Sequence, residues 1–179
     1  MKNDVERILL TKEQIDEKVK SLAKEIKGAY KDKNPLILCI LKGSFIFTSD
    51  LVRALDFPCE VDFMQVSSYG SGAVTTGELV IKKDCSTPLF GRDVIVVEDI
   101  LDTGVTLSKL MPTLIERGAN SVALCVLLNK PERRTVEVNA DYIGFDIENE
   151  FVVGYGLDYA EKYRNLPYVG ILKREIYEK

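Results

Sequence analysis

Three carboxylates within five residues, followed at once by a turn of threonines around a glycine, form the most chemically loaded stretch of this 179-residue chain. The segment reads Val94-Ile95-Val96-Val97-Glu98-Asp99-Ile100-Leu101-Asp102-Thr103-Gly104-Val105-Thr106. Amides of residues 103 to 106 at the start of a helix can point into a phosphate, and the Thr103 and Thr106 hydroxyls add donors. Gly104 lets the backbone come close to a ligand. Acids beside a phosphate repel it unless a cation intervenes. Glu98 and Asp99 next to such a turn therefore imply Mg2+, which binds through one or two carboxylates and substrate oxygens. Taken singly, the same residues are a helix cap at Asp102 or Thr106 and two solvated acids. As a block behind a β-branched run they favour the phosphate reading. The turn is not a Walker loop, because no Gly-Lys-Ser/Thr occurs, and it lacks Gly-x-Gly-x-x-Gly.

The elements that must position this block follow from periodicity. The β-branched run Val94–Val97 fits the inside of a parallel sheet, buried on both faces, and the spacing predicts a strand over 93–98. Leu36–Leu41 and Ser121–Leu128 read as further buried strands. Residues 59–68, 78–83, 141–145, 151–155 and 168–172 read as shorter or edge strands. Ile15, Val19, Leu22, Ala23 and Ile26 recur on one helical face. That helix starts at a Thr11/Gln14 capping box and is expected to stop near Lys27, at Gly28. A second helix is expected over 44–55. A third, carrying Leu107, Leu110, Met111 and Leu114, is expected to kink at Pro112. Strands alternating with helices give an α/β domain with a mostly parallel sheet. In such sheets ligands bind beyond the carboxyl ends of the strands, here just after Leu41, Val97 and Leu128.

Composition narrows the chemistry. The chain holds no histidine, which removes Ser-His-Asp triads, Cys-His dyads and His-zinc sites; proton transfer must use a carboxylate, Lys, Tyr or water. A net charge of −4 without a basic cluster argues against nucleic acid as a partner. Cys39, Cys59, Cys85 and Cys125 match no zinc spacing and read as free thiols of a reducing cytosol. No apolar run spans a membrane and the polar start Met1-Lys2-Asn3-Asp4 lacks the apolar stretch of a signal peptide, so a cytoplasmic location is expected. A single domain over 1–179 is expected.

The stretch Val96-Val97-Glu98-Asp99-Ile100-Leu101-Asp102-Thr103-Gly104-Val105-Thr106-Leu107 resembles the phosphoribosyl pyrophosphate (PRPP) motif of type I phosphoribosyltransferases. Further matches over nearly the whole chain resemble the hypoxanthine(-guanine) phosphoribosyltransferases. The resemblance implies a central sheet flanked by helices, a small hood built from about 150–179 with the N-terminal segment, and a flexible loop over 69–77. Glu98, Asp99, Asp102, Thr103, Gly104, Val105 and Thr106 would take PRPP. Lys42 and Gly43 in Leu41-Lys42-Gly43-Ser44 would bind pyrophosphate beside a cis Leu41–Lys42 peptide; alone, they read as a strand-to-helix turn with a surface lysine. Ser68 and Tyr69 would close over the pyrophosphate, and Arg164 would grip it; alone, Arg164 reads as a surface ion pair. Lys130, otherwise a solvated lysine, would donate to the purine 6-oxygen, which suits an oxopurine and disfavours adenine. Phe151, which equally fits a core position, would stack on the base, Val152 would read it through its backbone, and the Asp158 backbone would approach the base as well. Glu98, Asp99 and Asp158 would serve Mg2+. Asp102 is the expected general base at purine N7.

The implied partners are PRPP, a 6-oxopurine, pyrophosphate and further copies of the chain, as a dimer or tetramer. Other readings remain at this point: a xanthine- or uracil-using relative, a non-catalytic PRPP-sensing regulator, and a phosphoacceptor receiver domain. The receiver reading leaves the Thr-Gly-Val-Thr turn and the segment from Phe151 to Asp158 unexplained.

Overall fold

Alternation within the parallel strands sends successive side chains to opposite faces of one sheet. Leu36, Leu38, Val94, Val96, Leu124 and Val126 pack in one cluster, with Leu107, Leu110 and Leu114 of a helix. Ile37, Ile95, Val97, Ala123, Cys125 and Leu127 pack in the other, with residues of two helices. These strands are therefore apolar throughout, as expected of a sheet covered on both sides.

The structure is a computed structural model that describes residues 1–68 and 79–178. Its large sheet has six strands in the order β4-β3-β2-β5-β6-β7: Leu79–Lys83, Glu60–Ser68, Leu36–Ile40, Asp93–Leu101, Ser121–Asn129 and Tyr142–Asp146. All neighbours run parallel except the edge pair β3/β4. Helices α1 (Lys12–Tyr30) and α2 (Phe45–Ala54) cover one face, and α3 (Val105–Glu116) covers the other. A second, antiparallel sheet has the order β1-β9-β8, from Val5–Leu10, Val169–Leu172 and Val152–Val153. Together with the short helix α4 (Arg174–Tyr177) it forms the hood expected from 150–179 and the N-terminal segment. Among the described residues no helix is long and apolar enough to cross a membrane.

Several boundaries differ from expectation. The capping box at Thr11 and Gln14 is present, but α1 runs through Gly28 to Tyr30. A Cβ at Gly28 would meet nothing within 4 Å, so glycine there costs some helix propensity and imposes no stop. Helix α3 agrees with expectation in running past Pro112, to Glu116. Strand β5 extends through Glu98 and Asp99 to Leu101, because its ladder with β6 continues to the Leu101/Asn129 pair. The two acids lie within a strand rather than after it. The segment 151–155 holds only two strand residues, since Gly154 and Tyr155 have positive φ and turn the chain. Strand β1 pairs with the far C-terminal β9, and no local pattern announces it.

Asp62, on β3, ties the sheet to the connection after β4. Its carboxylate accepts from the amides of Phe63, Ser86 and Thr87 and from the Ser86 hydroxyl. Burial alone would raise its pKa, but these amides outweigh burial and hold it well below the usual carboxylate range.

Candidate active site

The carboxyl ends of β2, β5 and β6 lie side by side on one edge of the sheet. After β2, residues 41–43 turn tightly into α2, and the Leu41–Lys42 peptide is cis, as the resemblance implied. Gly43 is pressed between two partners. A Cβ there would fall 1.6 Å from Asp99 Oδ2, and a Cβ on Gly156 would fall 2.0 Å from the Gly43 carbonyl oxygen. Only glycines allow the lysine turn to sit between the acid of β5 and the loop after β8.

The turn after β5 gathers around one cavity. Glu98, Asp102, Thr103, Gly104, Val105 and Thr106 line one small cavity of about 100 Å³ together with Ile100, Leu101 and Leu107. Helix α3 begins at Val105, directly behind a left-handed Gly104 with φ of 84°. Gly104 serves a purpose the sequence did not indicate. A Cβ on it would lie 2.6 Å from Val138 Cγ1 and 3.0 Å from Arg134 Cδ, so the missing side chain admits the 134–138 segment against the back of the turn. Thr135 reinforces this packing by donating its amide and its hydroxyl to the Thr103 carbonyl, at 3.1 and 3.3 Å.

Glu98 and Asp99 are partly buried and poorly compensated. Glu98 Oε2 is buried with no hydrogen-bond partner. Burial, with the neighbouring Asp99 charge, pushes its pKa well above the usual range. Burial likewise raises Asp99 to about 6, against the pull of backbone amides and of the Arg164 charge. Glu98 lines the small cavity of the 98–107 turn and Asp99 faces Gly43. Among the described residues no three metal-ligating side chains gather into a ready cation cage. Asp158 is already engaged: Arg164 lies 2.7 Å from its Oδ1, and its Oδ2 accepts the Glu161 amide at 2.9 Å.

A larger cavity, about 370 Å³, opens beside the turn. It lies in the size range of small-molecule sites. Ile100, Asp102, Lys130, Phe151, Val152 and Tyr177 are among its lining residues. Lys130 is not a solvated lysine: it is 8% exposed, and its Nζ donates to the Glu150 carbonyl at 2.7 Å. Burial lowers its pKa. Phe151 is not a core residue, being 37% exposed. Tyr177 stacks on it with ring centroids 4.6 Å apart, and Tyr159 meets it edge-on at 5.7 Å. One aromatic face is thus taken from within the hood. Asp102 accepts from Arg133 Nε at 3.1 Å.

Arg164 is a hub rather than a surface ion pair. It is 19% exposed, bonds the Gly156 carbonyl at 2.8 Å, and pairs with Asp158 and Glu161. Lys42 Nζ reaches the same Glu161 carboxylate at 3.1 Å. Ser68 closes β3 by pairing with Leu79. Tyr69 and the loop expected over 69–77 lie outside the described residues. The sequence reading missed Arg133, Glu161 and Tyr177. Only Glu161 had a legible signal, its place in the same short segment as Asp158 and Arg164.

The phosphoribosyl transferase domain family matches residues 8–160. The chain belongs to the phosphoribosyltransferases. Within that family, the hypoxanthine-guanine phosphoribosyltransferase of Streptococcus thermophilus is 50% identical over 179 residues, covering all of this chain and 99% of that protein. The crystal structure of a Staphylococcus aureus hypoxanthine phosphoribosyltransferase superposes with a TM-score of 0.97 at 46% identity, over 100% of this chain and 97% of that one. The bifunctional TilS/HprT protein of Listeria monocytogenes is 51% identical over the whole chain, which spans 28% of that protein's length. The phosphoribosyltransferase fold therefore accounts for both sheets, and the 98–106 turn is the part of it that the sequence made most visible.

Proposed function

We propose that this phosphoribosyltransferase acts in purine salvage, moving the 5-phosphoribosyl group of PRPP onto hypoxanthine, and onto guanine, with release of pyrophosphate. One observation carries the reading. Asp102 lines both the phosphate cavity and the larger cavity beside it, so a single carboxylate stands between a sugar-phosphate cradle and a base-sized pocket. A group at that junction is placed to take the proton that the purine nitrogen loses as it attacks the ribose. The reacting carbon is an anomeric centre, for which an oxocarbenium-like transition state is expected.

The remaining residues divide the work. Amides at the start of α3, with Thr103 and Thr106, hold the 5-phosphate. Lys42, Gly43 and Arg164 hold the pyrophosphate and stabilise the charge it gains on leaving. Lys130 donates to the 6-oxygen from a fixed position, because the Glu150 carbonyl already restrains its Nζ. A cationic donor there favours an oxopurine over adenine, whose amino group is also a donor. Phe151 offers its remaining face to the base, Val152 its backbone. Ser68 and Tyr69 would close over the pyrophosphate and exclude water.

Mg2+ fits the donors present. Glu98 Oε2 has no hydrogen-bond partner, and burial opposes the ionisation of Glu98 and of Asp99 beside it, so a bound cation would supply the positive charge that favours both carboxylates. Glu98 and Asp99 would hold the ion with PRPP oxygens, and Asp158 would serve a second ion. The metal would neutralise the polyphosphate and orient the ribose hydroxyls. A cytoplasmic location and assembly of two or four copies belong to the same reading.

A PRPP-dependent assay over hypoxanthine, guanine, xanthine, adenine and uracil tests it. Turnover with hypoxanthine and guanine, abolished by EDTA and restored by Mg2+, is expected. No PRPP consumption with any base, or a preference for adenine or uracil, would overturn it.

A further inference from the structure

The two cations proposed above to grip pyrophosphate are both held by one carboxylate. Glu161 Oε2 lies 3.1 Å from Lys42 Nζ and 3.5 Å from the Arg164 guanidinium. The residue carrying it sits in an unusual backbone. Ala160, Glu161 and Tyr163 have φ values of 51°, 60° and 78°, a left-handed region that side-chain-bearing residues seldom occupy. The contortion is supported locally. Glu161 N donates to Asp158 Oδ2 at 2.9 Å, and Tyr159 and Lys162 exchange backbone bonds at 3.2 and 3.0 Å. Lys42 and Glu161 are separated by 119 residues, yet this ion pair bridges the turn after β2 to the loop after β8.

Stability alone does not explain the arrangement. The Glu161 side chain is 66% exposed and that of Lys42 is 54% exposed. Exposed ion pairs contribute little to folding, while three left-handed residues oppose it. Arg164 already has a closer partner in Asp158, at 2.7 Å against 3.5 Å for Glu161. Glu161 therefore adds a second anion to a cation that does not need one for satisfaction. What it does is neutralise the convergence point of Lys42 and Arg164 from a mobile-length side chain that a better anion can displace.

We propose that Glu161 is an internal stand-in for pyrophosphate: a positioning residue that keeps Lys42 and Arg164 together in the empty site and weakens their hold on the departing product. The inference rests on the pyrophosphate role given to Lys42 and Arg164 under Proposed function. Each time pyrophosphate binds, the Glu161 carboxylate is displaced from its cations or left facing a like charge. Each time pyrophosphate leaves, the carboxylate closes back. The affinity for product is set below what two free cations would give, which favours release.

The test is pyrophosphate binding by calorimetry in the presence of Mg2+, with wild type, Glu161→Gln and Glu161→Asp. Binding does not require turnover, so it separates this inference from the reaction. The Gln side chain keeps the size and the backbone bond to Asp158 but loses the charge. It is expected to bind pyrophosphate roughly three- to tenfold more tightly, as removal of one unit charge about 5 Å from a multivalent anion in water implies. The Asp variant keeps the charge near the cations and is expected to stay within about twofold of wild type by the same Coulomb estimate. A merely structural role would weaken binding in both variants. Unchanged or weaker binding in Glu161→Gln, or an equal gain in both variants, overturns the proposal. Wild type that binds no pyrophosphate at all would instead remove the role given to Lys42 and Arg164.

Discussion

Two pairs of acids, one on the central sheet and one on the hood loop, have inverted environments. Glu98 and Asp99 lie on a strand of the central sheet, with Val94–Val97 buried behind them. Among the described residues neither forms an ion pair with a basic side chain, and burial raises both their pKa values, against the pull of the Arg164 charge on Asp99. Asp158 and Glu161 lie on a hood loop with left-handed backbone, and Lys42 and Arg164 surround them. Ion pairing, led by the bond to Lys42, lowers the pKa of Glu161. The sheet supplies rigid acids short of positive charge, suited to a cation. The hood supplies acids that already have it, so that their cations can be lent to an anion. The substrate proposed above, a polyanion accompanied by Mg2+, would need both.

The contrast can be tested by removing one acid at a time. The largest effect is expected outside both pairs. Asp102→Asn should lower kcat by about 10²- to 10⁴-fold, the usual contribution of a general base, while PRPP binding measured by calorimetry stays near wild type. Near-normal turnover would remove Asp102 from the proton transfer. Next, Asp99→Asn should raise the KM for PRPP about 10- to 100-fold at limiting Mg2+, by loss of a carboxylate that helps hold the ion. Unchanged metal dependence would show that the sheet acids do not serve a cation.

The same substitution should stabilise the ligand-free protein, by about 1–3 kcal/mol at pH 7.5, because it removes a charge that burial opposes. Denaturant melts read this directly, and a loss of stability would contradict the charge-starved description of β5. The smallest effect is in the pH dependence. A carboxylate whose folded pKa is raised contributes stability that is fully present below its unfolded pKa near 4 and is lost as pH rises through about 6. The gain from Asp99→Asn should therefore be larger at pH 7.5 than at pH 5. A pH-independent gain would assign it to packing instead of ionisation. Glu161, depressed and exposed, has the opposite sign, its contribution being lost as pH falls through its folded value.

Legibility in the sequence followed the range of the interactions. The 98–106 turn is local: strand, acids, glycine and helix start are consecutive, and the structure gathers nearly all of them around one cavity. The parallel strands were readable because burial on both faces leaves no polar alternation to mistake. Gly104 has a second role that the sequence did not show, since its neighbours Val138 and Arg134 are supplied by a segment some thirty residues away. Phe151 and Lys130 each had two competing readings, which burial and partners separated only in three dimensions.

By itself the sequence determined that this chain forms a mostly parallel α/β sheet and carries a glycine turn with acids beside it, because both rest on the order of neighbouring residues. Only the tertiary structure decided which charges offset which. Lys42 meets Glu161, Arg133 meets Asp102, and burial outweighs the pull of Arg164 on Asp99, because electrostatic energy depends on distance through space and on burial, and neither is written in the spacing of residues along the chain.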